Sequence, residues 1–226
     1  MPKISLYIFA AITLCASACN ASEHGDGGLH DRRDIVALIQ PMLNATGKSA
    51  RIYYGGDCQV PDNNTNLMPQ PSLRFNANTK DVNDLEALTR ALANNDNLSI
   101  VERGDIIGLY INYEREKFLD TEIADVSFSV EEQYNANLAL SAIAEDGALQ
   151  AAEEVFGKQH MALLLIEGVR QPTEGYPHLP PSISNVSFDE ALDVVAKTFH
   201  GIVFYETCGP TSNYKVLFAG GFFWRP

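Results

Sequence analysis

Cys58 and Cys208 are the pair whose surroundings point most directly to chemistry. Each follows a β-like run, Arg51-Ile-Tyr-Tyr-Gly-Gly-Asp-Cys58 and Gly201-Ile-Val-Phe-Tyr-Glu-Thr-Cys208. The matching placement predicts neighbouring strands whose ends meet, and a structural disulfide in an oxidising compartment. Closing a loop of about 150 residues would stabilise by about 5 kcal/mol on the chain-entropy account. Unpaired thiols are the alternative. Redox catalysis needs a Cys-x-x-Cys pair or an activating neighbour, and neither is present. Five histidines could bind metal or move protons. His24 and His30 lie in a polar, Gly-rich stretch with Glu23, Asp26 and Asp31, which reads as a solvated tether. His160 precedes an apolar run, His178 sits among prolines, and His200 ends a helix, where its charged form suits the dipole. The carboxylate pairs Glu114/Glu116, Glu131/Glu132 and Glu153/Glu154 read as solvated faces. There is no Gly-x-Ser-x-Gly elbow, phosphate loop, His-Glu-x-x-His or calcium loop. No catalytic residue, metal site or cofactor is expected. Phe222, Phe223 and Trp224 form an aromatic end that either tucks into the core or binds a partner.

The compartment follows from residues 1–19. Lys3 precedes the apolar run Ile4 to Cys15, and Ala16-Ser17-Ala18 places small residues before Cys19. This is the layout of a secretory signal peptide, cleaved after Ala18. The run is shorter than the about 20 residues a spanning helix needs. Ala16-Ser-Ala-Cys19 resembles the lipobox of bacterial lipoproteins, with Ala16 where Leu is usual. That resemblance implies lipidation of Cys19, and Asn20 then reads as an outer-membrane sorting residue. Ordinary Ala-x-Ala cleavage, leaving a plain cysteine, is the other reading. The chain is 46% hydrophobic, enough to build a core, and carries net charge −13. Its 16 Lys and Arg form no basic stripe. A nucleic-acid surface is therefore disfavoured, because phosphate neutralisation needs clustered cations.

Hydrophobic periodicity locates the elements that must position these residues. Ser187 and Glu190 form a capping box at the start of a helix whose apolar face is Phe188, Ala191, Leu192, Val195 and Phe199. Gly201 ends it as a C′ residue. A strand at Ile183, a strand at Ile202–Tyr205 and a hairpin partner at Lys215–Ala219 complete a β-α-β-β unit. A second copy lies upstream: strand Leu73–Phe75, a helix capped by Asn83 with Glu86, strand Leu98–Val101, turn Glu102–Asp105 and partner Ile106–Ile111. A partial copy opens the mature chain, with a helix from Asp34 to Leu43, interrupted by Pro41, and a strand at Arg51–Tyr54. Between the full units, Val126 and Phe128 mark a strand and Ser129 with Glu132 a capping box. Tyr134 to Phe156 is helical with a break at Asp146-Gly147, Met161 to Val169 is an apolar run, and Tyr176–Pro181 is a stiff connector.

The segment Pro181 to Tyr205 resembles the short domain at the N terminus of secretins and TonB-dependent receptors, where a strand leads into a capped helix with an Ala-Leu pair and then a strand. Leu73 to Ile111 shares the order. The chain is also similar to bacterial envelope proteins with this two-unit layout. The resemblance implies a periplasmic module without catalytic residues that docks other proteins. The expected organisation is a signal peptide (1–18), a tether (19–31), a first α/β unit (32–120), a helical middle segment (121–171) and a second β-α-β-β unit (172–226). The expected fold is α+β, two β-α-β-β units tied by one disulfide. The expected function is a non-enzymatic protein-binding module, an accessory lipoprotein of a secretion or uptake system. Its partners are envelope proteins and, through Cys19, the outer membrane. The alternatives are a periplasmic hydrolase with a site between the units, and a structural role with the lipid and Phe222–Trp224 both at the membrane.

Overall fold

A computed structural model describes residues 29–30, 32–56, 73–75, 82–161, 175–208 and 213–219. The elements follow in order as β1 (Leu29–His30), α1 (Arg32–Thr46), β2 (Ser49–Gly56), β3 (Leu73–Arg74), α2 (Leu85–Ala91), β4 (Leu98–Arg103) and β5 (Ile106–Ile111). A 3-10 turn at Lys117–Asp120 leads to β6 (Glu122–Ser127), α3 (Val130–Gln133), α4 (Ala136–Ala144), α5 (Gly147–Phe156) and β7 (Gln159–His160). The chain closes with β8 (Ser182–Ser187), α6 (Phe188–Phe199), β9 (Ile202–Cys208) and β10 (Asn213–Ala219). The fold is α+β.

Six strands form one sheet in the order β4-β5-β2-β9-β10-β7. β2 is central because alternate residues feed both faces. Ala50 and Ile52 are buried on one face, Arg51 and Tyr53 on the other. β2 runs parallel to β5 and to β9, while β4–β5 and β9–β10 are antiparallel hairpins. Both expected units are present in order, as β3-α2-β4-β5 and β8-α6-β9-β10. Their leading strands stand outside the main sheet, β3 paired with β1 and β8 with β6. Both hairpins join through β2, so the units share a sheet. α1 and α2 bury Ile39, Met42, Leu88 and Leu92 against one face. α4, α5 and α6 bury Leu140, Ile143, Leu149 and Leu192 against the other.

Local chemistry explains the boundaries. Both expected capping boxes are present, at Ser129/Glu132 and Ser187/Glu190. α2 is capped by Asp84 rather than Asn83, the Asp84 carboxylate accepting the Ala87 N–H. α6 ends on His200 in the left-handed region, φ 50°, one residue before the expected Gly201. Gly201 serves another need: a Cβ there would sit 2.2 Å from the Phe218 ring. Gly104, at φ 58°, supplies the positive angle in the two-residue β4–β5 turn. α1 runs on through Pro41, which is exposed. At the end of the expected tether, Leu29 and His30 form β1, paired with Arg74 and Leu73.

The expected ends of neighbouring strands do meet: Cys208 in β9 stands opposite Gly56 in β2. Among the described residues no disulfide is found, however. Cys58 lies outside the described residues, as do Cys19, residues 1–28 with the leader, most of the apolar run after Met161, and Phe222, Phe223 and Trp224. Among the described residues no helix is long and apolar enough to cross a membrane.

Candidate functional site

Arg51 is placed by β2 on the face that α6 covers, and its side chain is fully buried. A buried cation must be paired or its pKa collapses. α6 supplies the partners one turn apart, at Asp189 and Asp193. Arg51 Nη1 donates to the Asp189 carbonyl oxygen at 2.6 Å and to Asp193 Oδ1 at 2.8 Å. Its Nη2 lies 2.9 Å from Asp189 Oδ1. Tyr53 Oη donates to Asp189 Oδ1 at 2.9 Å, and the Arg51 guanidinium lies 4.5 Å from the Tyr53 ring centroid. Arg103, the last residue of β4, donates to Tyr53 Oη at 2.7 Å and to Asp189 Oδ2 at 3.2 Å. Arg115 forks onto Asp120 and comes within 3.7 Å of Asp189. Burial alone would raise the Asp189 pKa, but the guanidiniums of Arg51 and Arg103 and the Tyr53 hydroxyl reverse this and hold it below the usual carboxylate value. Burial would likewise lower the Arg51 pKa, and the charges of Asp189 and Asp193 keep it above the arginine value. Burial pushes the Tyr53 and Tyr113 hydroxyls up, so both stay protonated.

Aromatic rings extend the network to the surface. Tyr53 and Tyr110 stack at 4.4 Å with their planes 6° apart. Tyr113 packs on Tyr53 at 5.3 Å and meets Tyr205 edge-on at 6.0 Å. Tyr205 Oη donates to Glu116 Oε2 at 2.9 Å, and Lys158 pairs with Glu116 Oε1 at 2.6 Å. The outer parts of Arg103, Tyr110, Tyr113 and Arg115 reach solvent; the two guanidinium side chains are 36% and 47% exposed. The result is a surface of two tyrosines and two arginines whose inner atoms are fixed by stacking and ion pairs.

The described histidines His160, His178 and His200 do not converge. His160 is in β7 and packs on Tyr214 at 5.2 Å; burial lowers its pKa despite nearby Glu153 and Glu145. His178 stacks on Tyr134 at 5.0 Å, and His200 is the exposed end of α6. Among the described residues no hydrogen bond joins a histidine to a carboxylate or hydroxyl. The junction between the expected units is itself a ladder, with Ala50 opposite Ile202 through to Gly56 opposite Cys208. Two carboxylates expected on solvated faces are instead partners of buried hydroxyls: Glu116 accepts from Tyr205 and Glu153 from Tyr214 at 2.8 Å.

Comparison with protein-family models, curated proteins and solved structures finds no match for this chain. The site rests on its own geometry. Sequence reading missed Arg51, Arg103, Arg115, Asp189 and Asp193. One signal was available: Asp189 and Asp193 are four residues apart, beside the apolar residues Phe188, Leu192 and Val195 of α6. Carboxylates so placed demand a buried cation, and Arg51 alternates with inward residues in β2. Arg103 and Arg115 carried no comparable signal, since only the tertiary fold brings them to Asp189.

Proposed function

We propose that this chain is a non-enzymatic protein-binding module of the cell envelope. It is exported by its leader, anchored to the outer membrane through lipidated Cys19, and accessory to a secretion or uptake system. The observation that supports this reading is the Arg103–Tyr110–Tyr113–Arg115 surface. Tyrosine and arginine dominate the energetic centres of protein interfaces. Here their inner ends are already ordered, so less side-chain entropy is lost on contact. The short-domain resemblance of Pro181 to Tyr205, which belongs to docking modules, points the same way. The test is affinity capture of the chain from envelope extract with mass spectrometry. Enrichment of a secretin or receptor component over a tag control is the expected result. A capture indistinguishable from the control would overturn the reading.

A further inference from the structure

The two edges of the six-stranded sheet are treated differently. Toward the far edge, where β7 is the last strand, two outward groups of β10 are engaged by other parts of the chain: the Tyr214 carbonyl accepts from Met161 N–H at 2.9 Å, and the Phe218 N–H donates to Asn137 Oδ1 at 2.8 Å. β7 covers Asn213 and Tyr214 as well. β4 has only β5 beside it among the described residues. The register settles which β4 groups are left. Asn112 N–H donates to Asn97 O at 3.0 Å, and Leu98 stands opposite Ile111. In an antiparallel ladder bonded pairs alternate. Ser99, Val101 and Arg103 therefore bond inward to β5, while Leu98, Ile100 and Glu102 direct their N–H and C=O away from the sheet.

Open edges in natural proteins are guarded by free charges. Both charges of β4 are engaged within the chain, Glu102 with Lys48 and Arg103 with Asp189 and Tyr53. The stretch Leu98-Ser-Ile-Val101 is uncharged, and Val101 is 39% exposed. We infer that β4 pairs with β4 of a second copy of this chain, antiparallel about a two-fold axis through Ile100. In that register the outward groups match completely: Ile100 faces Ile100, and Leu98 faces Glu102 of the second copy. On the other face Ser99 meets Val101 and Asn97 meets Arg103, so no like charges stand opposite. Leu98 and Ile100, half-buried against the core beneath that face of the sheet, gain cover. Because the two-fold pairing uses the β4 edge of both copies, the contact closes as an isologous dimer rather than extending into a filament. The pairing places two Tyr110–Arg103 surfaces on one continuous sheet.

Sedimentation equilibrium of the full chain carrying Cys19→Ser reads the assembly directly. The expected mass is twice that of one chain, with no larger species. Ile100→Pro removes an outward N–H while sparing every bond to β5, and is expected to sediment as a monomer with an unchanged circular dichroism spectrum. Should that variant fail to fold, hydrogen exchange on the unsubstituted chain decides. Slow exchange at Ile100 and Glu102, matching Ser99 and Val101, supports the pairing. A monomer at every concentration, a folded Ile100→Pro variant that still dimerises, or fast exchange at those outward amides would overturn it. A monomer whose outward amides become protected only when envelope extract is added would also overturn it, by assigning the edge to another protein's strand.

Discussion

Asp189 is the residue on which the site turns. It faces three guanidiniums and a tyrosine hydroxyl from a position that is 5% exposed. Replacing it by alanine leaves Arg51 with Asp193 as its one carboxylate partner, and removing one member of a buried pair costs about 3 kcal/mol. Urea denaturation of Asp189→Ala at neutral pH measures that loss. The pH dependence has a definite sign. Asp189 has a depressed pKa in the folded state. Its stabilisation is therefore complete above the unfolded aspartate value of about 3.9, and is lost as pH falls below it toward the folded value. The stability gap between the native chain and Asp189→Asn narrows below about pH 4 and is flat above about pH 5. A gap that widened on acidification would contradict this charge assignment.

At the scale of elements, α6 carries the most legible and the least legible features together. Its capping box, apolar face and flanking strands could be read directly, because capping and 3.6-residue periodicity are local. Ser187→Ala should cost about 1 kcal/mol. The end of α6 was misread by one residue because a tertiary contact sets it: Gly201 is needed for the Phe218 ring of β10, which packs on Phe199 at 5.9 Å. Gly201→Ala should therefore destabilise by about 1–3 kcal/mol through overpacking. Adding Phe218→Ala should make the pair of changes cost less than their sum, as thermal unfolding of the double-mutant cycle would show. Asp84 rather than Asn83 caps α2; aspartate and asparagine rank alike as caps, so residue type does not choose between the two neighbours.

In the whole molecule, the repeat of β-α-β-β order was visible in Leu73–Ile111 and Ile183–Ala219, but its consequence was not. Sequence order cannot say which strands pair across long separations, so the union of both hairpins through β2 emerged only in three dimensions. That union predicts one cooperative unfolding transition, with residues 32–120 or 172–226 alone failing to fold, because each would expose one flank of β2 or β9. The ion network has the same origin: Arg51, Arg103, Arg115 and Asp189 come from four separate stretches of chain. Its consequence is the ordered tyrosine–arginine surface on which the proposed binding role depends. The most direct test is quantitative affinity capture from envelope extract with the native chain and with Tyr113→Ala, both confirmed folded by circular dichroism. The account predicts that the envelope proteins held by the native chain are lost, or fall at least about tenfold, with Tyr113→Ala, the effect of removing a hot spot. Equal recovery of the same proteins by both chains would contradict it.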